Sequence, residues 1–310
     1  MKVYHSLEEV PEIQDLVLTQ GTFDGVHRGH KEVLQNVVRL AKNSGGESML
    51  LTFFPHPRLV LYPNDNNLRL LNSIDEKVEL VRECGIDHML ILPFTDEIAS
   101  LEPLVFVRDI LVQKLHVKRM VIGHDHRFGK NREGSFQDLM QFGEMFGFKV
   151  HEIPASEIEH IAISSTRARK ALAEGDLQLA NELLGRNYSL SGKVVHGQKL
   201  GRSIGIPTAN LEMTDSYKLI PKTGVYAVKV NWNGNSYPGA ANIGWNPTIE
   251  GKGFSIEVHI IDFHEDIYGQ QISIELVRFL RNEEKFSNLD ALREQIDKDI
   301  SATKAVFSTF

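Results

Sequence analysis

The sequence predicts an α/β chain in two parts: a parallel sheet with helices on both faces over residues 1–185, then an antiparallel β-barrel with a terminal helix over residues 186–310. Three observations predict it. Up to Gly185, short apolar runs alternate with segments of helical spacing, as in repeated strand–helix units. Beyond Gly185, β-rich runs follow one another with turn residues between them. The loops richest in glycine, histidine and proline in the first part all follow strand-like runs, on the rim where parallel sheets bind ligands.

In order, "DLVLTQG" reads as a buried strand, and "HKEVLQNVVRLAKNSGG" as a helix, with Leu34, Val37, Val38 and Ala41 at helical spacing before a glycine stop. "MLLTFF" is a short strand ended by the rigid "PHP". "SIDEKVELVRECG" opens with a capping box, Ser73 with Glu76 three residues on, and stops at Gly85. "HMLILPF", "PLVFVRDILVQKLH", "RMVIG", "SFQDLMQFGEMFG" and "FKVHEI" continue the alternation. After Gly185, "SLSGKVVHG", "GVYAVKVNW", "NSYPGAANIG", "FSIEVHIID" and "ISIELVRFL" read as strands, with Asn233-Gly234 suited to a type I′ hairpin. The helix "SNLDALREQIDKDI" takes Ser287 as its expected cap.

Bulk properties narrow the function. In 310 residues, 42% are hydrophobic and 24% charged, values ordinary for a globular protein, and the length suits two domains. With 34 Lys+Arg against 41 Asp+Glu, the net charge of -7 argues against a general nucleic-acid binder. One cysteine, Cys84, excludes an intrachain disulfide framework and a multi-cysteine zinc site. The opening "MKVYHSLEEVPEIQDLVL" lacks the apolar core of a signal peptide, and no apolar run reaches membrane-spanning length. The expectation is a cytoplasmic protein without nucleic-acid or membrane partners.

Three stretches could carry chemistry in the first part. "GTFDGVHRGHKEVL" places His27 and His30 where a strand hands over to a helix. Helix N-termini offer unpaired N–H groups and partial positive charge, glycine admits close approach of an anion, and imidazole N–H groups add donors. That makes a phosphate site, although a histidine-bearing helix start reads the same way when taken alone. "IAISSTRARKALAEGD" supplies hydroxyls and N–H groups from Ser164, Ser165 and Thr166, and guanidinium groups from Arg167 and Arg169. An ordinary N-cap with surface arginines is the plainer alternative. "GHDHRFGKNREG" adds Asp125, His126, Arg127 and Phe128 on a glycine-bounded loop. His124, Asp125 and His126 lack the supporting carboxylate cluster of a metal hydrolase. No G-x-x-x-x-G-K-[ST] is present, so a Walker-type NTPase is not supported.

Taken in order, "TFDGVHRGH", "TFFPHP", "GHDHRFGKNREG" and "ISSTRAR" resemble the nucleotidyltransferase module of bacterial FAD synthetases. "GKVVHGQKLGRSIGIPTANL", "GVYAVKV", "NIGWNPT", "IEVHIIDFHEDIYG" and "FLRNEEKF" resemble riboflavin kinase. The chain is therefore similar, over nearly its whole length, to the bifunctional riboflavin kinase/FMN adenylyltransferase family. Three positions depart from the family pattern: His126 where an aromatic is commoner, Phe54 before Pro55 where many members carry an acid, and Asn246 in "NPT" for "RPT".

The resemblance implies a Rossmann-like nucleotidyltransferase domain, 1–185, that joins FMN to ATP, and a riboflavin kinase domain, 186–310, that makes the FMN. Substrates would be riboflavin, FMN and ATP, with Mg²⁺ as cofactor. For adenylyl transfer it implies His27 and His30 as catalytic donors, and Gly21, Phe23, Asp24, Gly29, Asp125, Ser164, Ser165, Thr166 and Arg169 as ATP and phosphate contacts. Asp24 either supports that site or helps place Mg²⁺. His56 and Phe128 would line the flavin pocket or merely pack their turns. For the kinase step it implies Glu257 as the base, against the plainer reading of a solvated strand face. Thr208 and Asn210 offer neutral oxygens to Mg²⁺. Gly201, Arg202 and Gly205, with Lys199, would cradle phosphates. A nucleotidyltransferase of another specificity, and a flavin-binding module with degenerate sites, are the competing readings. "PTAN" argues against the first, and intact His27, His30, Thr208, Asn210 and Glu257 against the second.

Overall fold

The alternation of the first part builds a six-stranded parallel sheet. Its strands are β1 (Lys2–Tyr4), β2 (Val17–Gln20), β3 (Ser48–Phe54), β4 (His88–Pro93), β5 (Arg119–Gly123) and β6 (Lys149–Ile153). Across the sheet they run β1-β4-β3-β2-β5-β6, and every neighbouring pair is parallel. The computed structural model describes residues 1–62, 64, 68–123, 127–153, 165–197, 205–245 and 253–308.

Strand alternation feeds two apolar layers. Leu18, Met49, Leu51, Leu90, Leu92, Met120 and Ile122 pack with Phe106, Val107, Ile110 and Leu111 of α4 (Phe106–Lys114). Before it in the chain come α1 (Arg28–Ser44), α2 (Pro57–Leu61) and α3 (Ile74–Glu83). Val17, Leu50, Met89, Ile91 and Val121 meet Leu34, Val37 and Ala41 of α1 and Leu80 and Val81 of α3 on the opposite face. α4 is wound as a π-helix, which the spacing of its apolar residues does not announce. The Ser73–Glu76 capping box forms in both directions, at 3.0 and 3.2 Å.

From β2 the chain steps outward through β3 and β4, then returns to the other side of β2 for β5 and β6. The reversal point is where open α/β sheets bind ligands. There β2 and β5 pair only as Val17↔Arg119 and Leu18↔Met120. Their C-terminal residues leave each other's ladder, and the turn beginning at Gly21 stands at that mouth.

By contact density the chain divides into Met1–Ser165 and Thr166–Phe310, earlier than the change of periodicity at Gly185. The reason is local bonding. After α5 (Phe136–Phe146), the helices α6 (Ser165–Glu174) and α7 (Leu177–Leu184) precede the barrel. Asn181 of α7 accepts from Tyr188 N at 2.8 Å and donates to Leu276 O at 2.9 Å. Leu172 O of α6 accepts from Lys222 N at 2.9 Å.

The barrel strands are β7 (Tyr188–Val195), β8 (Ala209–Met213), β9 (Gly224–Trp232), β10 (Asn235–Trp245), β11 (Phe254–Ile260) and β12 (Gln271–Arg281). They close in the order β10-β11-β8-β7-β12-β9, antiparallel at each described pairing. Asn233 and Gly234 take φ of 48° and 76°, as a type I′ turn requires. The terminal helix α8 (Leu289–Phe307) is capped by Asn288, whose Oδ1 accepts from Ala291 N at 2.8 Å. Ser287, the expected cap, lies one residue outside, because both neighbours are capping types and the first turn starts at Leu289. Asp299 of α8, buried, pairs with Arg281 of β12 at 2.7 Å and pins the helix to the barrel.

Candidate active sites

The turn after β2 is built on unusual backbone. Gly21 N donates to Leu51 O at 3.0 Å, and a Cβ at Gly21 would lie 2.9 Å from the Phe23 ring. Phe23, Gly25 and Val26 then take φ of 45°, 88° and 36°. Positive φ is costly for a β-branched residue, so Val26 is held there by its surroundings. Those surroundings are specific. Asp24 is buried and accepts from Leu71 N at 2.9 Å. Asn72 Oδ1 accepts from Gly25 N. Ser165 Oγ donates to Asp24 O at 2.9 Å, which ties the first residue of α6 to the turn. Ser165 is thereby brought to the turn from more than a hundred residues away in sequence.

His27 is the N-cap of α1. Its Nδ1 accepts from His30 N at 3.3 Å, so in the neutral ring the proton sits on Nε2, which is then the ring's donor. The His27 and His30 rings stack with centroids 3.6 Å apart, and His30 leans on Phe23 at 4.8 Å. Gly29 is buried in the first turn of α1. One ring nitrogen of the pair is thus committed to the helix start.

Other expected residues distribute differently. His56 caps α2 by accepting from Arg58 N at 3.2 Å, just beyond the end of β3. Phe128 is 4% exposed, bridged to Gly134 and 6.4 Å from Phe106. Its ring is buried against its own loop. Thr166 is exposed and Arg169 half-buried on α6. Asp125, Ser164, Gly201 and Arg202, with His124, His126, Lys199 and Asn246, lie outside the described residues.

Sequence reasoning passed over Lys77. It stands on the buried face of α3 with Leu80 and Val81, at 7% exposure. Burial pushes its ammonium down to about 8, against the opposing attraction of the Asp24 carboxylate. The signal was present: a lysine occupying an apolar position of a helical stripe.

In the barrel, Glu257 of β11 stands opposite Asn210 of β8. Ile256 and Val258 are buried, whereas Glu257 and His259 point away from the barrel core, as period two requires. Thr208 Oγ1 donates to Glu257 Oε2 and Ser255 Oγ to Oε1, each at 3.3 Å. Asn210 lies so close to Gly197 that a Cβ there would come within 2.1 Å of its amide. Gly205 takes φ of 82°. A cavity of about 480 Å³ opens beside them, walled by Gly197, Gly205, Thr208 and Asn210 on one side and by Phe263–Tyr268 on the other. Glu257 is not in its lining and touches it through the Thr208 hydroxyl. The wall at 263–268, where Tyr268 packs on His196 with centroids 3.9 Å apart, belongs to the "IEVHIIDFHEDIYG" stretch, of which the sequence reading gave a role to Glu257 alone.

Among the described residues no helix is long and apolar enough to cross a membrane, and no group of three or more His, Cys, Asp and Glu could hold a metal ion. A family model described as FAD synthetase matches residues 10–167, and one described as riboflavin kinase matches residues 184–307. A Listeria monocytogenes protein named bifunctional riboflavin kinase/FMN adenylyltransferase is 41% identical over 94% of this chain and 92% of its own length. An Escherichia coli protein of the same name is 40% identical over 98% of this chain and 96% of its own. A crystal structure described as a macrolide-efflux protein from Streptococcus pneumoniae matches with a TM-score of 0.85 at 30% identity, covering 97% of this chain and 98% of that one. With both halves matched in order and the relatives aligned almost end to end, the chain belongs to the bifunctional riboflavin kinase/FMN adenylyltransferase family.

Proposed function

We infer that this chain makes FMN from riboflavin and ATP, and then FAD from FMN and a second ATP, releasing pyrophosphate. The observation that carries the reading is the occurrence, in one chain, of a histidine-capped turn at the switch point of a parallel sheet and a carboxylate–hydroxyl–amide cluster on a barrel. We assign the first reaction to residues 186–310 and the second to residues 1–185.

In FAD formation an FMN phosphate oxygen attacks the α-phosphorus of ATP, and the bond to the bridging oxygen of pyrophosphate breaks. The nucleophile is already anionic, so the protein's task is to align two repelling anions and stabilise growing charge. His27 Nε2–H suits that role because Nδ1 is occupied by the helix start, which fixes which nitrogen donates. His30, stacked against it, is the second donor. Gly21, Phe23 and Gly29 shape the backbone around the phosphates. Asp24 acts as a support, since its carboxylate is buried and bonded to Leu71 N. Ser165, with Ser164, Thr166 and Arg169 adjacent in sequence, takes the leaving phosphates, and Asp125 belongs to the ATP contacts. His56 and Phe128 line the flavin side.

In FMN formation the ribityl hydroxyl is neutral and must lose its proton as it attacks the γ-phosphorus, with ADP leaving. Glu257 is the base, its two oxygens oriented by Thr208 and Ser255. The donor set fits Mg²⁺: the Thr208 hydroxyl donates a hydrogen bond to Glu257 and its oxygen can still coordinate a cation, and Asn210, opposite Glu257 on β8, adds an amide oxygen. Thr208 and Asn210 would hold the ion, which when bound neutralises phosphate charge. Gly201, Arg202 and Gly205 complete the nucleotide cradle, and the cavity beside Thr208 is sized for it.

Incubation with riboflavin, ATP and Mg²⁺, followed by separation of FMN from FAD, tests the reading. Both products are expected in sequence. FAD from supplied FMN without phosphorylation of riboflavin would remove the kinase assignment, and the reverse would remove the transferase.

A further inference from the structure

The central strand β2 ends on a buried amide that neither reaction step uses. Its last residue, Gln20, is 8% exposed. Glutamine is seldom buried this far unless its amide is hydrogen-bonded. Among the described residues the Gln20 side chain makes no hydrogen bond. Strand alternation puts Gln20 on the face of Leu18, and its ladder partner is Leu51 of β3. Leu18 and Leu51 belong to the apolar layer under α4, which also holds Phe53 and Phe128. Phe53 follows Leu51 by two residues on the same face, and its ring meets Phe94 edge-on at 5.3 Å. The histidine turn serves the other layer, through Phe23 and Val26. Gln20 therefore stands at the switch point, where β2 and β5 have left each other's ladder, on the face opposite to the imidazoles.

We propose that Gln20 is a specificity-determining residue for FMN in adenylyl transfer, its amide pairing with the imide edge of the isoalloxazine ring. The proposal rests on the adenylyl-transfer reading of the histidine turn, with Phe128 on the flavin side. The chemistry matches in both directions. The imide presents one N–H between two carbonyl oxygens. A carboxamide has an oxygen to accept that N–H and an NH₂ group to donate to a flanking carbonyl. The aromatic and aliphatic neighbours of Gln20 suit the faces of a flat ring, and the amide is the group among them that reads an edge. A ligand that fails to pair with it leaves a buried polar group unsatisfied, which is how such sites reject near-isosteres. Adenine also carries a donor–acceptor edge that glutamine can read. The turn that serves the ATP phosphates lies on the opposite layer, which favours the flavin.

The test uses the full chain and its Gln20→Met and Gln20→Ala variants. Each is assayed for FAD-type product from FMN or from FMN methylated on the imide nitrogen, and for riboflavin phosphorylation. The parent is expected to show a KM for the methylated flavin about 10-fold above that for FMN. Gln20→Met keeps the length of the side chain without its hydrogen bonds. It should raise KM for FMN about 10-fold, treat the two flavins alike, and leave KM for ATP and riboflavin phosphorylation at parental values. Gln20→Ala, which leaves room for the methyl group, should lose the discrimination in the same way. A parent indifferent to methylation would overturn the proposal without recourse to any variant. So would variants that discriminate as the parent does, an equal loss of both activities in both variants, or a rise in KM for ATP in place of FMN, which would give the amide to adenine. If the parent chain itself makes no FAD, it is the transferase reading that fails, which separates the two.

Discussion

Replacing His27 by two different residues separates its two jobs. Its Nδ1 caps the 17-residue helix α1 by accepting from His30 N, and its Nε2 is the donor proposed for transfer. His27→Ala removes both. Loss of a cap of this kind costs about 1 kcal/mol of stability, and loss of a donor to developing charge in a water-poor site about 3 kcal/mol of activation energy, on the order of 10² in rate. His27→Asn restores a side-chain oxygen at the N-cap but has no group to take the place of Nε2. The asparagine variant should therefore unfold in urea near the parent while remaining on the order of 10² slower in single-turnover FAD formation. Equilibrium ATP binding should fall far less than the rate in both variants, because the donor acts mainly in the transition state. If asparagine restores rate together with stability, capping alone accounts for His27, and the donor role is wrong. A loss of ATP affinity in proportion to rate would make it a uniform binder instead.

Three further outcomes follow from the same geometry. Glu257→Gln should abolish most riboflavin phosphorylation and leave FAD formation from supplied FMN nearly intact; near-normal FMN output would take the base role from Glu257. A fragment starting at Thr166 should phosphorylate riboflavin without making FAD, whereas one starting at Asn187 should be several kcal/mol less stable, since it loses the buried Leu177, Leu183 and Leu184 and the Asn181 hydrogen bonds; equal urea midpoints would show that α7 is dispensable. Lys77 has a folded pKa of about 8 against 10.5 in the unfolded chain, so between those values the unfolded state holds the extra proton and stability rises with pH, by about 3 kcal/mol across the window. Lys77→Met should remove that rise, and an unchanged parent-minus-variant difference from pH 7 to 10.5 would contradict it.

Much of this was legible because it is written at short range. The Ser73–Glu76 box, the Asn233-Gly234 turn and the alternation of Glu257 with Val258 each depend on residues within a few positions. The meeting of Thr208, Asn210 and Glu257 was reachable in outline, since strand period two puts them on one face once β8 and β11 are neighbours. Other features were hidden because they arise from packing. Nothing local distinguishes Asn288 from Ser287 as a cap, or a π-wound helix from an α-helix at α4. The bond from Ser165 to Asp24, the left-handed Val26 and the attachment of α6 and α7 to the barrel all depend on residues distant in sequence. The fold of Gly134 over the Phe128 ring was hidden for the same reason.

The two sheets differ in how they meet other copies of the chain. The barrel closes on itself, so among the described residues each of its strands has a partner on both sides. The parallel sheet ends in β1 and β6, and each is a poor template for cross-chain pairing. β1 has three residues, too few to seed a stable added strand. β6 sets exposed Lys149 and Glu152 along its length, so a strand laid against it would have to bury or repel charge. At the two edges of the parallel sheet the guards against strand addition are thus a short strand and two charges, and replacing Lys149 and Glu152 with valine should make β6 a better template for a neighbouring copy, read as an increase in light scattering at equal concentration.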